Sequence, residues 1–405
     1  MRIIGGTYGE RTADPPTEQL FGSGLRAAAA LSGVIRPELT TCLDGALYSH
    51  AQGVAQTYGV EMVVKDREQP VVFSYYTPLS TPDVHGSSQG RCHIKSDDAG
   101  TSALVFGMVE ADCTVTASAI VYDPQGSQNT NIDRRHFKTE RFAVVGNIHE
   151  ITTLGRSASN HFPSATQAAR RIAHETAAEV VIVKRGALGC LVLEADGHTT
   201  AIGPYKTETV WPIGSGDVFS AVFAWAWLED KQEPTMAATL ASAATSVWCR
   251  TQTLPIPLAP SIIAASLFPG IALVPEEEDV PVYLAGPFFG VAERWLVNLT
   301  REALTHLGAR VFSPLHDVGR GGDEVAARDL EGLVAARSVL GLLDGADAGT
   351  MFELGYASAR GIPTVGYAAV PEREDYTMAR GLATPIVSDL TSAVYQAIWS
   401  GMRPQ

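Results

Sequence analysis

Cysteine is scarce. The five present, Cys42, Cys92, Cys113, Cys190 and Cys249, are scattered and form no C-x-x-C pair. That spacing offers no zinc site and suggests reduced, mostly buried thiols in a cytosol. Positive charge is in deficit, with 30 Lys and Arg against 44 Asp and Glu and a net charge of -14. Nucleic-acid binders normally present a basic face, so no nucleic-acid partner is expected. Small anions stay admissible, because a helix N-terminus binds phosphate even on an acidic protein. No apolar run is long enough to cross a membrane. The most apolar late stretch, residues 258–274, is broken by Pro260 and Pro269 and reads as a core helix plus connector. The opening Met1-Arg2-Ile3-Ile4-Gly5-Gly6 is too short and glycine-rich for a signal peptide. The expectation is a soluble, cytoplasmic protein with no membrane partner. What is present is globular material, 45% hydrophobic and 18% charged. At 405 residues the chain is too long for one core, and two domains follow.

Up to about Cys113 the pattern is mixed. Gly22-Ser23-Gly24 opens an alanine-rich helix over residues 25–31, and residues 60–64 and 70–76 read as strands. Residues 77–100 are polar and turn-rich, a loop or lid in which His85 and His93 read as solvent-facing rather than as ligands. From Ser102 onward, short apolar strands alternate with helices, which implies a parallel sheet covered on both faces. One strand, residues 117–122, ends at Asp123-Pro124-Gln125-Gly126; the next, residues 141–146, runs into Asn147-Ile148-His149-Glu150. A helix over about residues 164–176 leads to a strand at 179–184 and to Lys184-Arg185-Gly186-Ala187-Leu188-Gly189. Further on, Gly214-Ser215-Gly216-Asp217 can turn tightly, so that its N–H groups converge on an anion at a helix start. Asp217 stands where it could take the proton of a hydroxyl attacking a γ-phosphate. The same four residues also suit a plain turn.

These three motifs, in this order, resemble the ribokinase-like (PfkB) sugar and nucleoside kinases over roughly residues 1–267. The resemblance implies ATP and Mg2+ as cofactors. Asn147 and Glu150 would manage phosphate and magnesium, Glu150 indirectly. Lys184 and Gly186 would lie at the phosphate, Gly214, Ser215 and Gly216 would form the anion hole, and Asp217 would be the catalytic base. Three places depart from the family pattern. Trp211-Pro212-Ile213 replaces an acid-Thr pair, Arg26 stands about where an Asn leads its helix, and Leu43-Asp44-Gly45 is a weak substitute for an early Gly-Gly-Asp. A kinase-like domain that binds a nucleotide without turning it over is therefore the alternative to an active kinase.

Residues 254–281 hold six prolines, and the acidic run Glu276-Glu277-Glu278-Asp279 lies just before the last of them. This reads as the end of one core and an exposed linker, dividing the chain into residues 1–275 and 276–405. A second α/β unit begins with a strand at 281–285 and a Gly286-Pro287-Phe288-Phe289-Gly290 turn. Trp295, Leu296, Leu299, Ala303, Leu304 and Leu307 follow at helical spacing, stopped by Gly308. Strands at 311–313, 338–343 and 362–367 alternate with helices, one carrying Asp329 and one starting near Thr350. That start places Glu353 in the first helical turn, where the dipole and free N–H groups favour an ionised carboxylate suited to attack a sugar carbon. Thr350 and Glu353 equally have the T-x-x-E spacing of a capping box without chemistry. Tyr283, His316, Asp344, Asp347 and Glu353 fall near strand carboxyl ends, where such sheets bind ligands.

Tyr-Leu-Ala-Gly-Pro-Phe-Phe from Tyr283, Ser-Pro-Leu-His-Asp from Ser313, Asp-Leu-Glu-Gly from Asp329, and Leu-Leu-Asp-Gly…Asp-x-Gly-Thr-x-x-Glu-Leu-Gly-Tyr-Ala from Leu342 stand in the order of the nucleoside 2-deoxyribosyltransferase family, which this half resembles. The resemblance implies that Glu353 is the nucleophile on the anomeric carbon and that Tyr283 holds it. Asp329 would bind sugar hydroxyls or protonate the base, and Asp347 would lie at the base end. Gly286, Pro287, Phe288, His316, Asp344, Gly349, Thr350 and Met378 would line the substrate. It further implies a homo-oligomer, no cofactor for this domain, and nucleosides, nucleotides and free bases as small-molecule partners. Tyr376 stands near where the family supplies an Asn across subunits, ahead of Met378. The expected architecture is α/β, with two three-layer αβα domains, ribokinase-like and then flavodoxin-like or Rossmann-like. The expected function is cleavage or exchange of an N-glycosidic bond through a glycosyl-Glu353 intermediate, beside a sugar or nucleoside kinase. The alternative is a nucleotide-sensing pseudokinase that regulates a nucleoside monophosphate hydrolase.

Overall fold

A computed structural model describes residues 1–86, 91–126, 131–156, 163–258, 270–276, 279–319, 321 and 323–405. The chain forms two compact units. Unit 1 comprises Met1–Arg185, Gly189–Ile202 and Trp211–Gly270, and unit 2 comprises Gly186–Leu188, Gly203–Val210 and Ile271–Gln405. The sequence division at residues 275 and 276 lies inside unit 2. Most of the core helix expected over residues 258–274, and Glu277 and Glu278 of the acidic run, lie outside the described residues.

Unit 1 is built on a nine-stranded sheet in the order Thr199–Ile202, Cys190–Glu194, Val180–Lys184, Arg141–Asn147, Ala119–Asp123, Ala103–Phe106, Arg2–Ile4, Glu38–Asp44 and Glu61–Arg67. Cys190–Glu194 pairs antiparallel with the strand on either side of it, and every other pairing is parallel. Alternation within the strands explains how both faces are covered. Val181 and Val183, with Phe142 and Val144, share a core with Ile151, Leu154, Ala168 and Ile172 of the helices Ile148–Leu154 and Ala165–Thr176. The intervening Val180, Ile182 and Ala143 are equally buried. The apolar helix Ser215–Leu228 packs on Ala103–Phe106 and Ala119–Asp123, and against the helices Gly22–Leu31 and Pro234–Thr251. Asp123, Asn147 and Lys184 end adjacent parallel strands, so one edge of the sheet gathers all three.

Residues 77–100 are more than the loop expected of them. Asp83–His85 edges a four-stranded sheet with Thr17–Leu20, Gly9–Thr12 and Val72–Tyr75, and Cys92–Asp97 pairs in parallel with Ala111–Thr116. Only Ile94 of the Cys92 strand is buried, so it carries almost none of the apolar signal that marks a covered strand.

Unit 2 has a five-stranded, wholly parallel sheet in the order Ala309–Phe312, Val280–Ala285, Ser338–Leu342, Thr364–Tyr367 and Ile386–Val387. The strand order reverses beside Val280–Ala285, which makes a crevice at the carboxyl ends of that strand and Ser338–Leu342. The helix Ala348–Ala359 rises from that place and buries Leu354 and Ala357 with Tyr283, Val339 and Leu343. Gly332 lets the helix Asp323–Val334 lie close to Phe312, since a Cβ there would stand 2.4 Å from its ring. Among the described residues, no helix is long and apolar enough to cross a membrane.

Candidate active sites

In unit 2 the helix bearing Glu353 starts earlier than its sequence suggests. Asp347 is the N-cap, and its Oδ2 accepts from Thr350 N at 2.8 Å and from Thr350 Oγ1 at 2.9 Å. The Thr350–Glu353 capping box is not formed, and Glu353 lies a turn further in, beyond the first-turn N–H groups. The helix terminus therefore does not hold the carboxylate ionised. Burial instead pushes the Glu353 pKa up to about 7; the Tyr283 hydrogen bond opposes the rise, and the charges of Asp329 and Asp347 add to it. Near neutral pH the carboxyl therefore gives up its proton less readily than an exposed glutamate does. Tyr283 OH donates to Glu353 Oε1 at 2.5 Å. The tyrosine is fully buried on the strand Val280–Ala285, and its ring is stacked on Phe312 at 5.5 Å. Two packed strands therefore fix the donor that orients the carboxylate. Asp329 is half-buried, and its Oδ1 is buried without a hydrogen-bond partner among the described residues. Burial raises its pKa against the pull of Arg328.

The cap leads to a specific expectation. Asp347→Ala removes two hydrogen bonds at the helix start and destabilises unit 2 by about 1 kcal/mol. It also removes a negative charge that raises the Glu353 pKa, so the acid limb of any Glu353-dependent rate moves to lower pH. Thermal melts and a pH–rate profile read the two effects separately.

The remaining sequence candidates divide. Pro287 is buried, while Phe288 is half-buried and stacked on the exposed Phe289. Gly286 follows the strand Val280–Ala285 and packs against Leu342, and Gly349 and Thr350 form the first turn of the Glu353 helix. His316 is exposed, and its ring is engaged by Ser313 Oγ at 3.1 Å and Asn298 Oδ1 at 2.9 Å. Its hydrogen bonds thus tie the Pro314–Val318 turn to the neighbouring helix rather than reaching the Glu353 cluster. Asp344 accepts from Ala369 N at 3.1 Å and braces one strand end against the next. Met378 is 73% exposed. Tyr376 is wholly buried and donates to Leu343 O at 2.8 Å, so its hydroxyl is engaged within its own unit.

In unit 1, Asn147 and Glu150 form a reciprocal capping box: Asn147 Oδ1 accepts from Glu150 N at 2.9 Å, and Glu150 Oε2 accepts from Asn147 N at 2.7 Å. Burial pushes Glu150 up to about 7, with Asp123 adding to the rise and Lys184 opposing it. Lys184 Nζ donates to Asp123 Oδ2 at 2.7 Å and to Ser220 Oγ at 3.2 Å, and it lies 3.5 Å from Gly216 O. Burial works against its charge, but Asp123 and Glu150 outweigh that and raise its pKa. Ser215 donates its N–H to Pro212 O at 3.0 Å in the turn that starts the helix. Gly186 falls with unit 2, in a short 3-10 turn.

Asp217 is almost fully buried and both of its oxygens are engaged. Arg26 Nη1 donates to Oδ2 at 2.8 Å and Gln125 Nε2 to Oδ1 at 2.6 Å. Arg26 is itself wholly buried and also pairs with Glu10 through both terminal nitrogens. Burial raises the Asp217 pKa, with Arg26 opposing and Glu10 adding. Gly214 has φ +79, and a Cβ there would stand 2.3 Å from Arg26 Nε, so the turn needs glycine partly to admit this guanidinium. Glu10, Asp123, Gln125 and Ser220 were not marked as site residues by the sequence. Only Asp123, at the end of an apolar strand, carried a usable signal.

Whether Mg2+ fits can be judged from these donors. Asp217 is taken by Arg26 and Gln125, Asp123 by Lys184 and Ser220, and Glu150 by a backbone amide. Among the described residues, no group of three or more His, Cys, Asp or Glu side chains is placed to hold a metal ion. Asp123 and Asp217 are each neutralised by a protein cation, and that pairing does not fit a divalent ion.

Residues 282–382 match the family model for nucleoside 2-deoxyribosyltransferase, and residues 110–259 match that for pfkB family carbohydrate kinase. The chain carries a domain of each family. The deoxyribosyltransferase-family match takes in Tyr283, Asp329, Asp347 and Glu353. The pfkB-family match takes in Asp123, Asn147, Glu150, Lys184 and Asp217 but leaves Glu10 and Arg26 outside. Among solved structures, ribokinase from Thermotoga maritima aligns at 16% identity and TM-score 0.49 over 66% of this chain and 98% of its own. Ribokinase of Arabidopsis thaliana, complexed with ribose and ATP, aligns at 17% and 0.49 over 66% and 97%. The nucleoside kinase of Methanocaldococcus jannaschii aligns at 12% and 0.45 over 63% and 94%. No curated protein matches the chain.

Proposed function

We propose that the deoxyribosyltransferase-family domain cleaves or exchanges the N-glycosidic bond of a deoxynucleoside or its monophosphate through a covalent intermediate on Glu353. The observation that carries this reading is the 2.5 Å hydrogen bond from buried Tyr283 to Glu353 Oε1. In the first half-reaction a Glu353 oxygen bonds to the anomeric carbon while the bond to the base nitrogen breaks. The electron pair leaves with the base, which takes up a proton. Asp329, whose pKa burial raises, suits the donor's part. In the second half-reaction an acceptor base nitrogen, or water, gives its proton to the Asp329 carboxylate left by the first, bonds to the same carbon and breaks its bond to the Glu353 oxygen, freeing that carboxylate.

Incubating the protein with deoxynucleosides and their monophosphates, with and without an acceptor base, tests the reading by chromatography. Exchanged nucleoside marks a transferase and free base alone a hydrolase; neither product from any substrate would remove the assignment. Tyr283→Phe gives a sharper check. The hydroxyl stabilises the charged carboxylate, so its loss raises the Glu353 pKa above about 7. The variant's acid limb shifts to higher pH, and its rate falls more at pH 6 than at pH 9. A uniform loss across pH would show that Tyr283 does not tune Glu353.

For the pfkB-family domain two readings stand: Mg-ATP phosphorylation of a sugar or nucleoside, and ligand sensing that regulates the glycosidic chemistry. The engagement of Asp217 by Arg26 and Gln125 favours the second, because a base must be free to meet the substrate hydroxyl.

A further inference from the structure

Four carboxylates, Glu10, Asp123, Glu150 and Asp217, gather around the start of the helix Ser215–Leu228, and a buried cation, Arg26, and a half-buried one, Lys184, stand among them. Each cation is placed as a counter-ion. The Lys184 ammonium touches Asp123 at 2.7 Å and raises no clash with Glu150, whose charge it offsets. Its side chain is 14% exposed and Asp123 only 1%, so the pair is shielded from solvent competition. The guanidinium of Arg26 bridges Glu10 and Asp217 with both partners almost wholly buried. Ser220 Oγ completes the arrangement by donating to Asp123 Oδ2 at 2.6 Å. A divalent ion seeking the Asp123 oxygens would meet an ammonium at hydrogen-bond distance, and one seeking Asp217 would meet a guanidinium. Charge repulsion and the loss of these bonds both oppose its entry.

We infer that Lys184 and Arg26 are built-in counter-cations that replace the divalent metal of the pfkB-family domain, leaving a metal-independent site without phosphoryl transfer. This inference rests on the sensing reading of that domain and deepens it by naming the residues that displaced the metal. Lys184 is the removable one, because it is partly exposed. Its replacement by methionine leaves Asp123 and Glu150 without a countercharge and offers their oxygens to a cation.

Mn2+ is the probe, titrated alone into the full chain and followed by electron paramagnetic resonance. The wild-type chain shows no saturable Mn2+ site that depends on Asp123. Lys184→Met acquires one, and adding Asp123→Asn removes it again. In parallel, Mg-ATP with a panel of nucleosides and sugars yields no ADP from the wild-type chain. ADP formation would overturn both the inference and the sensing reading. A wild-type Mn2+ site lost on Asp123→Asn, without ADP, would overturn the inference and leave the sensing reading standing. Folded Lys184→Met that binds no Mn2+ would likewise overturn it. Should that variant not fold, as a melt would reveal, the wild-type titration still decides.

Discussion

Glu353→Gln abolishes release of free base and exchange alike, with a fall of at least about 10^3-fold, while stabilising unit 2 at alkaline pH. The loss follows from the chemistry: the amide is too poor a nucleophile to form the glycosyl ester, and Tyr283 has nothing charged to orient. The gain in stability follows from the pKa. Burial raises Glu353 from its ordinary 4.5 to about 7, so the folded state disfavours the ionised form. A raised acid contributes stability that is fully present below its unfolded pKa and is lost as pH rises through the folded value. Between about pH 4.5 and 7 the wild-type domain therefore loses ground that glutamine, which never ionises, retains. The ceiling on the difference is about 3 kcal/mol at pH 8, from the rise to about 7. At pH 4 the two proteins melt together. A variant that keeps half the wild-type rate would end the nucleophile assignment, and one that melts below wild type at pH 8 would end the claim that the carboxylate is held at a cost.

How much of this could be read beforehand depended on distance along the chain. The strands after Ser102 announced themselves as apolar runs between turns, and the strand ends at Asp123, Asn147 and Lys184 followed from them. The helix start at Asp347 was misplaced for a local reason. Asp347-x-x-Thr350 and Thr350-x-x-Glu353 are overlapping capping patterns, and only tertiary packing decides between them. That choice moves Glu353 from a helix terminus into the second turn, which reverses the sign of its pKa shift. Tyr283 and Glu353 are 70 residues apart, so their pairing was implied by family motifs and by nothing local. Arg26 and Asp217 are 191 residues apart. Arg26 drew notice only as a misfit, because a buried arginine in an alanine-rich helix gives no hint of which carboxylates neutralise it.

Arg26→Met should be the most damaging single change in unit 1. Arginine and methionine stems pack alike, so the main loss is electrostatic. With Arg26 gone, Glu10 and Asp217 stay buried at 4% and 7% exposure without their shared cation. Breaking a buried pair by removing one partner costs about 3–5 kcal/mol, which lowers the melting temperature of a unit this size by roughly 10 °C. The penalty depends on pH in a stated direction. Burial already raises Asp217 and Arg26 opposes that rise, so the variant's Asp217 is raised further. Stability tied to such a group is present at acid pH and lost as pH rises, so the gap between variant and wild type is wide at pH 8 and narrow at pH 5. Adding Asp217→Asn to Arg26→Met removes one of the stranded charges and recovers part of the loss at pH 8. If that double variant melts no higher than Arg26→Met, or if the gap is the same at both pH values, the destabilisation is one of packing. Asp217 would then be free of the guanidinium in energetic terms and available as a base, which favours the kinase reading.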